Sequence, residues 1–388
     1  MRNTIIIKYF FLLSIFAILS FGYYYLIFGQ KSVIYNENRS AEKIPSFSFE
    51  SFLAGDFQNR LEGALSDQYK ESELLKSKVI LLKNEVFNNI TSLSRRNQYY
   101  LVTKGFYGFD NEEYLLHEIL TDEYIEENMK YIDILAAQYN GIDVSKKYLY
   151  MVSTDRTIDF LNLNKNKEYF NMIREKYYTY KSDYLKINSV TDYKKYFYKT
   201  DHHWNYEGSY QGYKDIIRMI FGEKEEILVP NELFIFDVDT FGSKARRAQF
   251  FTFTEKFKAY KFSFPVHTEY IGEVEANYGN YSSYFENDYS RDINTNHYAH
   301  FYGNDYPEIK YNFNNSKKDN LLILGASDTN AVNTLIASHF NKTYVIDLRY
   351  YKIFDVNQYI KNNNINNVLY IANSAMFMST DFNLSPIK

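Results

Sequence analysis

The spacing of Asp201 and His203 is suited to general base chemistry. Residues 199–208 read KTDHHWNYEG, and an aspartate two residues before a histidine can set its carboxylate against the imidazole Nδ1. That contact fixes the tautomer and leaves Nε2 of His203 free to accept a proton, while His202 points elsewhere. Two alternatives use the same residues: Asp201 or Asn205 caps a helix and the histidines only pack, or the group binds a metal. We expect no metal, because adjacent histidines diverge and no further ligand is spaced to join them.

A second reactive group is the hydroxyl of Ser327, in the run ILGASDTN. The preceding apolar run predicts a strand, and a serine in a tight turn between a strand and a helix exposes its hydroxyl. Its own N–H and the helix N-terminus are then available to an oxyanion. The G-x-S-x-G elbow is not satisfied, because Thr329 occupies the second glycine position. An ordinary turn is therefore the alternative interpretation.

The last 70 residues predict the elements that bring these groups together. Apolar runs at 320–324, 343–346 and 367–372 predict strands, and helical patterns separate them at about 331–339 and 356–362. Strands and helices that alternate with short connections form a parallel α/β sheet, so we expect the three strands to be parallel neighbours. Ligands bind at the carboxyl ends of such strands. That edge would carry the side chains that follow each strand, namely Ser327, Asp347, Arg349 and Asn373.

The rest of the chain shows weaker patterns. Apolar spacing of three and four residues predicts a helical region from about 50 to 92 and a helix near 122–139, and KYLYMV at 147–152 predicts a buried strand. Residues 223–318 are irregular, aromatic and rich in Asn, Asp and Gly, which we interpret as an insertion or subdomain. The predicted organisation is a tail at 1–8, an anchor at 9–28, a helical extension at 31–100 and an α/β domain at 101–388.

Composition excludes several classes of function. The chain has 388 residues and a net charge of −4, with no basic stripe, so nucleic acid is not an expected partner. It has no cysteine, which excludes disulfides, cysteine-ligated zinc and a cysteine nucleophile. It also has 41 Tyr and 32 Phe against one Trp. This bias has two interpretations, an A/T-rich genome or tyrosine-rich surfaces that stack on sugar rings.

Residues 9–28 read YFFLLSIFAILSFGYYYLIF and predict a transmembrane helix. Twenty uncharged residues at about 1.5 Å each match the roughly 30 Å core of a bilayer. Arg2 and Lys8 precede the segment and Lys31 follows it, a modest asymmetry that favours a cytoplasmic N-terminus. A cleaved signal peptide is the alternative, but the segment is long and no small-x-small site follows it. We expect a single-pass anchor in the cell membrane, with the rest of the chain outside the cytoplasm.

The DHHW run at 201–204 resembles the DHHW protein family, which is itself similar to the SGNH-hydrolase-like domains of alginate and peptidoglycan O-acetyltransferases. Those domains carry D-x-H-W upstream of G-D-S. The resemblance extends over nearly all of the chain after the predicted anchor. Further similar runs are ENR at 37–39, FLAGDF at 52–57, FGSKARR at 241–247, NHY at 296–298, YGNDYP at 302–307 and IDLRYY at 346–351.

The resemblance implies an SGNH-hydrolase-like parallel sheet flanked by helices. By position, Asp201 becomes the orienting acid, His203 the general base and Ser327 the nucleophile. One departure puts activity in doubt: where the family has G-D-S, this chain has Ala326 before the serine. The absent aspartate supports the nucleophile turn in the family, and Asp328 is positioned to substitute in part.

Two further residues are candidates for binding the oxyanion or the substrate. Asn373 follows the third predicted strand and is a candidate oxyanion donor beside the N–H of Ser327. Arg349 follows the second strand and is a candidate for binding a substrate hydroxyl or carboxylate. A salt bridge from Arg349 to Asp347 or a neighbour is an equally good interpretation.

The implied function is an extracytoplasmic O-acetyltransferase that acts on a cell-surface or secreted polysaccharide through an acetyl-serine intermediate. No cofactor is implied. Because acetyl-CoA is cytoplasmic, the resemblance also implies a multispanning membrane acyltransferase that supplies the acetyl group. One alternative is a carbohydrate esterase with the same triad. The other is a non-catalytic surface protein that binds or assembles polysaccharide, which would be favoured if Ser327 lay out of reach of His203.

Overall fold

The computed structural model describes residues 33–34, 39–68, 99–103, 106–109, 114–159, 162, 164–248, 250, 254–276, 289–351 and 355–384, and a few positions between 9 and 24. Within these residues, no helix is long and apolar enough to span a bilayer. Most of the predicted anchor at 9–28 lies outside the described residues, so the anchor stays a prediction.

The chain forms two compact units, and the smaller one comprises residues 1–95 and 245–253. Strands β1 (Val33–Ile34) and β2 (Arg39–Ser40) pair antiparallel in it. Helix α1 (Phe49–Ala54) begins at Ser48, whose hydroxyl caps it, and ends at Gly55 in the left-handed conformation; α2 (Asp56–Gln68) follows. The predicted helical region thus holds two helices up to residue 68, and residues 69–92 lie outside the described part.

The larger unit comprises residues 96–244 and 254–388. Its strands are β3 (Tyr99–Thr103), β4 (Phe106–Phe109), β5 (Tyr114–His117), β6 (Lys146–Val152), β7 (Lys181–Tyr184), β8 (Glu232–Thr240), β9 (Glu255–Lys261), β10 (Thr268–Ile271), β11 (Val274–Ala276), β12 (Glu308–Asn312), β13 (Leu321–Gly325), β14 (Lys342–Asp347) and β15 (Asn367–Asn373). The helices of the chain beyond residue 100 are α3 (Asp122–Asn140), α4 (Asn164–Lys176), α5 (Val190–Tyr196), α6 (Tyr206–Phe221), α7 (Ser243–Ala248), α8 (His297–Tyr302), α9 (Asn333–Ala337) and α10 (Val356–Asn362).

A central sheet of eight strands has the order β11-β10-β12-β14-β13-β15-β6-β7. Strand β13 pairs in parallel with both β14 and β15, which confirms the three predicted parallel neighbours. Strand β6, predicted at 147–152, continues the parallel series beside β15. Every residue of β13 is buried, as expected for a continuous apolar strand with both faces covered. The predicted α/β sheet flanked by helices is therefore present.

The region at 223–318 is predicted to be an insertion or subdomain, but part of it belongs to the central sheet. Strands β10, β11 and β12 extend the sheet antiparallel beyond β14, with Ile309 opposite Val345. The same region forms the hairpin of β8 and β9. Most residues of β10 and β12 are half-buried, and polar residues are mixed with apolar ones in both strands, unlike the continuous apolar runs of the buried parallel strands.

Helices cover both faces of the sheet. Helices α3, α4 and α10 pack on one face, and α5, α6 and α9 pack on the other. The helices predicted at 122–139 and 356–362 are present. The helix predicted at 331–339 is shorter than expected: a 3₁₀ turn at Ser327–Thr329 precedes the five residues of α9. No side chain caps α9 at Val332.

Candidate active site

Asp201, His203 and Ser327 form a hydrogen-bonded chain in the larger unit. The Nδ1 of His203 lies 2.6 Å from Asp201 Oδ1, and its Nε2 lies 2.9 Å from the hydroxyl oxygen of Ser327. The same carboxylate oxygen accepts the backbone N–H of His203 at 3.0 Å. These are the contacts that the sequence predicted for an orienting acid, a base and a nucleophile.

The turn before α7 holds the carboxylate of Asp201 in place. The N–H of Ser243 donates to Asp201 Oδ2 at 2.7 Å, and the N–H of Gly242 donates to the Thr200 hydroxyl at 2.9 Å. A Cβ at Gly242 would lie 2.4 Å from the Asp201 nitrogen, so this close approach requires glycine. On the other side, Glu255 accepts the N–H and hydroxyl of Thr200. The FGSKARR run thus contributes backbone donors to the site.

Asn205, and not Asp201, caps the helix that follows the motif. Its side-chain oxygen accepts the N–H groups of Glu207 and Gly208 at the start of α6. The helix cap and the histidine–carboxylate pair are therefore both present: Asn205 caps the helix, and Asp201 binds His203. Trp204, which is fully buried, donates from Nε1 to the carbonyl of Asp328 at 3.0 Å. This bond joins the histidine segment to the serine turn.

The serine turn requires a glycine at its start. A Cβ at Gly325 would lie 2.3 Å from the Thr329 methyl and 2.9 Å from the carbonyl of Ile371. Ser327 then begins the 3₁₀ turn, whose backbone closes through the bond from Asn330 N–H to the Ser327 carbonyl at 3.2 Å. Its hydroxyl is thereby presented to His203 at the carboxyl end of β13, as expected for a site on a parallel sheet.

Two aromatic side chains enclose the imidazole of His203. The ring of Tyr298 on α8 stacks on it at 3.9 Å and 6°, and the ring of His202 lies at 3.8 Å and 38°. The Tyr298 hydroxyl donates to the carbonyl of Ser327 at 3.0 Å. Sequence reasoning missed this role of Tyr298, although the NHY run that contains it was noted as a family resemblance.

Charges around His203 favour its protonated form. Burial alone would lower the pKa of His203, but the carboxylates of Asp201, Asp328 and Asp305 outweigh burial and raise it above the ordinary 6.5. Burial would raise the pKa of Asp201, but the imidazole of His203 and the N–H of Ser243 hold it well below its ordinary value. The pair is therefore suited to accept a proton from Ser327 and to stabilise the resulting imidazolium.

His202 does not contact Ser327. Its Nδ1 lies 2.5 Å from the hydroxyl of Ser243, and burial together with His203 lowers its pKa well below the ordinary value. Among the described residues, Asp201, His202 and His203 have ligand atoms within 4.8 Å of one another. Those atoms already form hydrogen bonds, so a metal ion would have to compete with the triad for them.

Asn373 and Arg349 bind acidic side chains. The amide of Asn373 donates to Asp328 Oδ2 at 2.7 Å, so the structure does not direct it to an oxyanion as proposed from the sequence. Arg349 forms a bidentate pair with Asp347, with a shortest contact of 2.6 Å, and also contacts Asp305 at 3.0 Å. Of its two interpretations, the geometry supports the salt bridge.

A second histidine–aspartate pair lies in the same unit and was not identified from the sequence. The Nδ1 of His117 lies 3.1 Å from Asp155 Oδ1, and the ammonium of Lys244 lies 3.2 Å from Asp155 Oδ2. All three side chains are buried. Burial lowers the pKa of His117, and Lys244 acts in the same direction, although Asp155 acts to raise it.

An aromatic cleft opens beside the serine turn. Its wall includes the half-buried rings of Tyr206, Tyr210, Tyr260 and Tyr302, together with Asn330. None of the described lining residues carries a charge. The ring of Tyr302 lies 5.0 Å from that of Tyr298, which stacks on His203. The cleft is therefore connected to the triad by two ring contacts.

No protein-family model and no curated protein matches this sequence. Solved structures do match it. Bacillus cereus PatB1, also solved with a sulfonyl adduct, is 23% identical at a TM-score of 0.55, over 71% of this chain and 99% of PatB1. A DHHW family protein from Eubacterium siraeum is 17% identical at 0.55, over 73% of this chain and 95% of that protein. The O-acetyltransferase domain of Pseudomonas putida AlgJ, 9% identical over 72% and 94%, reaches only 0.41, which is too loose to bear on function.

These likenesses show a shared fold. They confirm the resemblance to the DHHW family at the level of the fold, on a chain whose sequence alone matches no family model.

Proposed function

We propose that this chain is a serine-dependent acyltransferase that moves acetyl groups onto hydroxyls of a cell-surface or secreted polysaccharide. The observation that carries the proposal is the placement of the Ser327 hydroxyl 2.9 Å from His203 Nε2, with Asp201 2.6 Å from the other ring nitrogen. A non-catalytic binding protein has no need of this alignment, so the geometry favours an enzyme.

In the first half-reaction, the Ser327 oxygen attacks the acetyl carbonyl carbon and its proton passes to His203 Nε2. The tetrahedral intermediate expels the donor's oxygen or sulfur, which takes that proton, and acetyl-Ser327 remains. In the second, a saccharide hydroxyl attacks the acetyl carbon and gives its proton to His203. Collapse returns the proton to the Ser327 oxygen and releases the O-acetylated sugar. The Ser327 N–H is our candidate for stabilising the oxyanion.

The aromatic cleft supports a neutral saccharide as the acceptor. Tyrosine faces offer apolar area on which sugar rings can stack, and the uncharged lining suits a ligand without charge. We also propose that residues 9–28 anchor the domain outside the cytoplasm. An acetyl donor is then needed on that side of the membrane, which a multispanning membrane acyltransferase would supply.

The first test is covalent labelling of Ser327 with a sulfonyl fluoride, followed by peptide mass spectrometry. The serine oxygen forms a bond to sulfur, fluoride leaves, and His203 takes the proton. We expect one adduct on Ser327 in the purified protein and none in Ser327→Ala. PatB1 is known with a sulfonyl adduct, which makes this class of probe a reasonable choice.

The second test separates transfer from hydrolysis. The protein is incubated with an acetyl-ester donor, with and without neutral oligosaccharides, and acetylated sugar and free acetate are measured. Acetylated sugar that depends on Ser327 supports the transferase. Acetate alone, unaffected by oligosaccharide, identifies the esterase that uses the same triad. Absence of both products and of the Ser327 adduct would leave the binding protein as the better explanation.

A further inference from the structure

The turn that carries Ser327 has a carboxylate after the serine and an apolar side chain before it. Ala326 is buried in the core on one face of the sheet, among apolar residues that include Leu348 and Met376. Asp328 is 1% exposed. A carboxylate withdrawn from water to this degree is costly unless its surroundings compensate for it, so its place beside the nucleophile calls for an explanation.

Hydrogen bonds fix Asp328 through both its side chain and its backbone. Its Oδ2 accepts the amide N–H of Asn373 at 2.7 Å, and Asn373 is oriented in turn by accepting the N–H of Ala375 at 3.1 Å. Its carbonyl accepts Trp204 Nε1 at 3.0 Å. Because Trp204 follows His203 directly in the chain, Asp328 joins the base segment to the nucleophile turn.

We propose that Asp328 is the positioning residue of this active site, and that its carboxylate, held by Asn373, fixes Ser327 against His203 and stabilises the imidazolium that forms during acyl transfer. This inference rests on the proposed function. In a G-D-S motif, the aspartate that supports the nucleophile turn precedes the serine. In this chain we assign that support to Asp328, which follows the serine.

The charges that face this group are consistent with that role. Burial, with a contribution from Asp305, raises the pKa of the Asp328 carboxyl above its ordinary value, and His203, Asn373 and Arg349 act against that rise. His203 in turn faces Asp201 on its own segment, Asp328 on the serine turn and Asp305 after α8, with His202 and Tyr298 on its two ring faces. Of these three carboxylates, Asp305 is the most exposed, and it is already paired with Arg349.

Two substitutions separate the charge of Asp328 from its hydrogen bond. Asp328→Asn keeps an oxygen that can accept from Asn373 and removes the charge, whereas Asp328→Ala removes both. The readouts are the rate of Ser327 sulfonylation against pH and the titration of His203 followed by NMR, assigned by loss of its signal in His203→Gln. Asp305→Asn is the matched control, because it removes a partly exposed carboxylate that also faces His203.

In Asp328→Asn we expect the His203 titration and the acid limb of sulfonylation to move together to lower pH. The plateau rate should fall about 10-fold in Asp328→Asn and about 100-fold in Asp328→Ala, because small displacements of the reacting groups cause losses of this order. Asp305→Asn should cause a smaller shift in the His203 titration and in the acid limb of sulfonylation. If the Asp328 variants fail to fold, Asn373→Ala takes their place, and it should lower the plateau rate with a smaller change in the titration.

An unchanged His203 titration and plateau rate in Asp328→Asn would overturn the inference. A wild-type protein whose Ser327 is not labelled at any pH would instead overturn the proposed function. In that case the NMR titration of wild type against Asp328→Asn still decides whether Asp328 stabilises protonated His203.

Discussion

Among its described residues, the larger unit contains two buried histidine–aspartate pairs with similar Nδ1–carboxylate contacts and different surroundings. In the triad, Asp201 lies 2.6 Å from His203 and its other oxygen accepts the backbone N–H of Ser243. In the second pair, Asp155 lies 3.1 Å from His117 and its other oxygen contacts the ammonium of Lys244. The second oxygen of Asp201 is therefore bound by a neutral N–H dipole, and that of Asp155 by the full positive charge of Lys244.

This difference decides which histidine is suited to accept a proton. Neighbouring carboxylates outweigh burial and raise the pKa of His203, whereas at His117 burial prevails, with Lys244 adding to it, and the pKa falls. Within the part of the chain that the structure describes, Asp201 forms no ion pair with a lysine or arginine; its carboxylate binds His203 and the N–H of Ser243. A histidine–aspartate pair is thus a useful base only where its carboxylate is not already neutralised.

The largest expected effect is on activity, and it should separate the two pairs. Ser327→Ala or His203→Ala should reduce acyl transfer or ester hydrolysis by roughly 10³- to 10⁶-fold, because triad members act as a unit. His117→Ala, the matched control, should stay within about 10-fold of wild type once folding is verified by circular dichroism. Full activity in Ser327→Ala, or equal losses at His203 and His117, would contradict the assignment.

The second effect is on stability, and it should be specific to the other pair. Lys244→Met leaves the buried Asp155 carboxylate without its cation, and we expect the free energy of unfolding to fall by about 3–5 kcal/mol in urea titrations. The control is Lys146→Met, which breaks a 2.6 Å pair with Asp319 whose side chains are 52% and 42% exposed. Such exposed pairs contribute about 0–1 kcal/mol. Similar losses in the two variants would show that Lys244 has no special role.

Much of the triad could be predicted from the sequence because its geometry is local. The D-x-H spacing fixes the contact between Asp201 and His203, and buried apolar runs fix the parallel strands whose ends carry Ser327. The absence of an aspartate at position 326, directly before the serine, was also readable from the sequence. What could not be read was that this position faces the apolar core, while Asp328 faces its polar partner Asn373.

The remaining contacts depend on long-range packing that no local pattern specifies. His117 and Asp155 are 38 residues apart along the chain, and Asp155 and Lys244 are 89 residues apart. Each of the three by itself is an ordinary polar side chain. Tyr298 contacts His203 from α8, within a region whose sequence pattern is irregular. Strands β10 to β12 were missed because they are short, mix polar with apolar residues and lack the continuous apolar run that marked the buried parallel strands.

A third effect concerns pH. His203 must be neutral to accept the Ser327 proton, so the rate of Ser327 sulfonylation should rise with pH. Since neighbouring carboxylates raise the pKa of His203, the midpoint of that rise should lie above 6.5, the ordinary histidine value. His117→Ala should leave the midpoint in place, because the pKa of His117 is lowered and its ring does not contact Ser327. A midpoint below 6.5, or one that moves in His117→Ala, would contradict the contrast between the pairs.

The smallest expected effect tests the ring contacts, in which the two histidines also differ. Tyr298 stacks on His203 at 3.9 Å and 6°, whereas Phe106 lies 5.0 Å from His117 at a tilt of 39°. Tyr298→Phe keeps the stacked ring and loses the bond to the Ser327 carbonyl. A neutral hydrogen bond contributes about 0.5–1.5 kcal/mol, so the rate of Ser327 sulfonylation should fall by about 2- to 12-fold.

Tyr298→Leu removes the stacked ring as well as the hydroxyl, and its rate should fall further, because an aromatic pair contributes about 0.5–1.5 kcal/mol beyond its buried area. Phe106→Leu is the control on the other pair and should leave the rate unchanged. The order expected for the rates is therefore Phe106→Leu, then Tyr298→Phe, then Tyr298→Leu. If Tyr298→Leu matched Tyr298→Phe, the stacked ring would not help to orient His203, and the hydroxyl bond alone would account for the place of Tyr298 in the site.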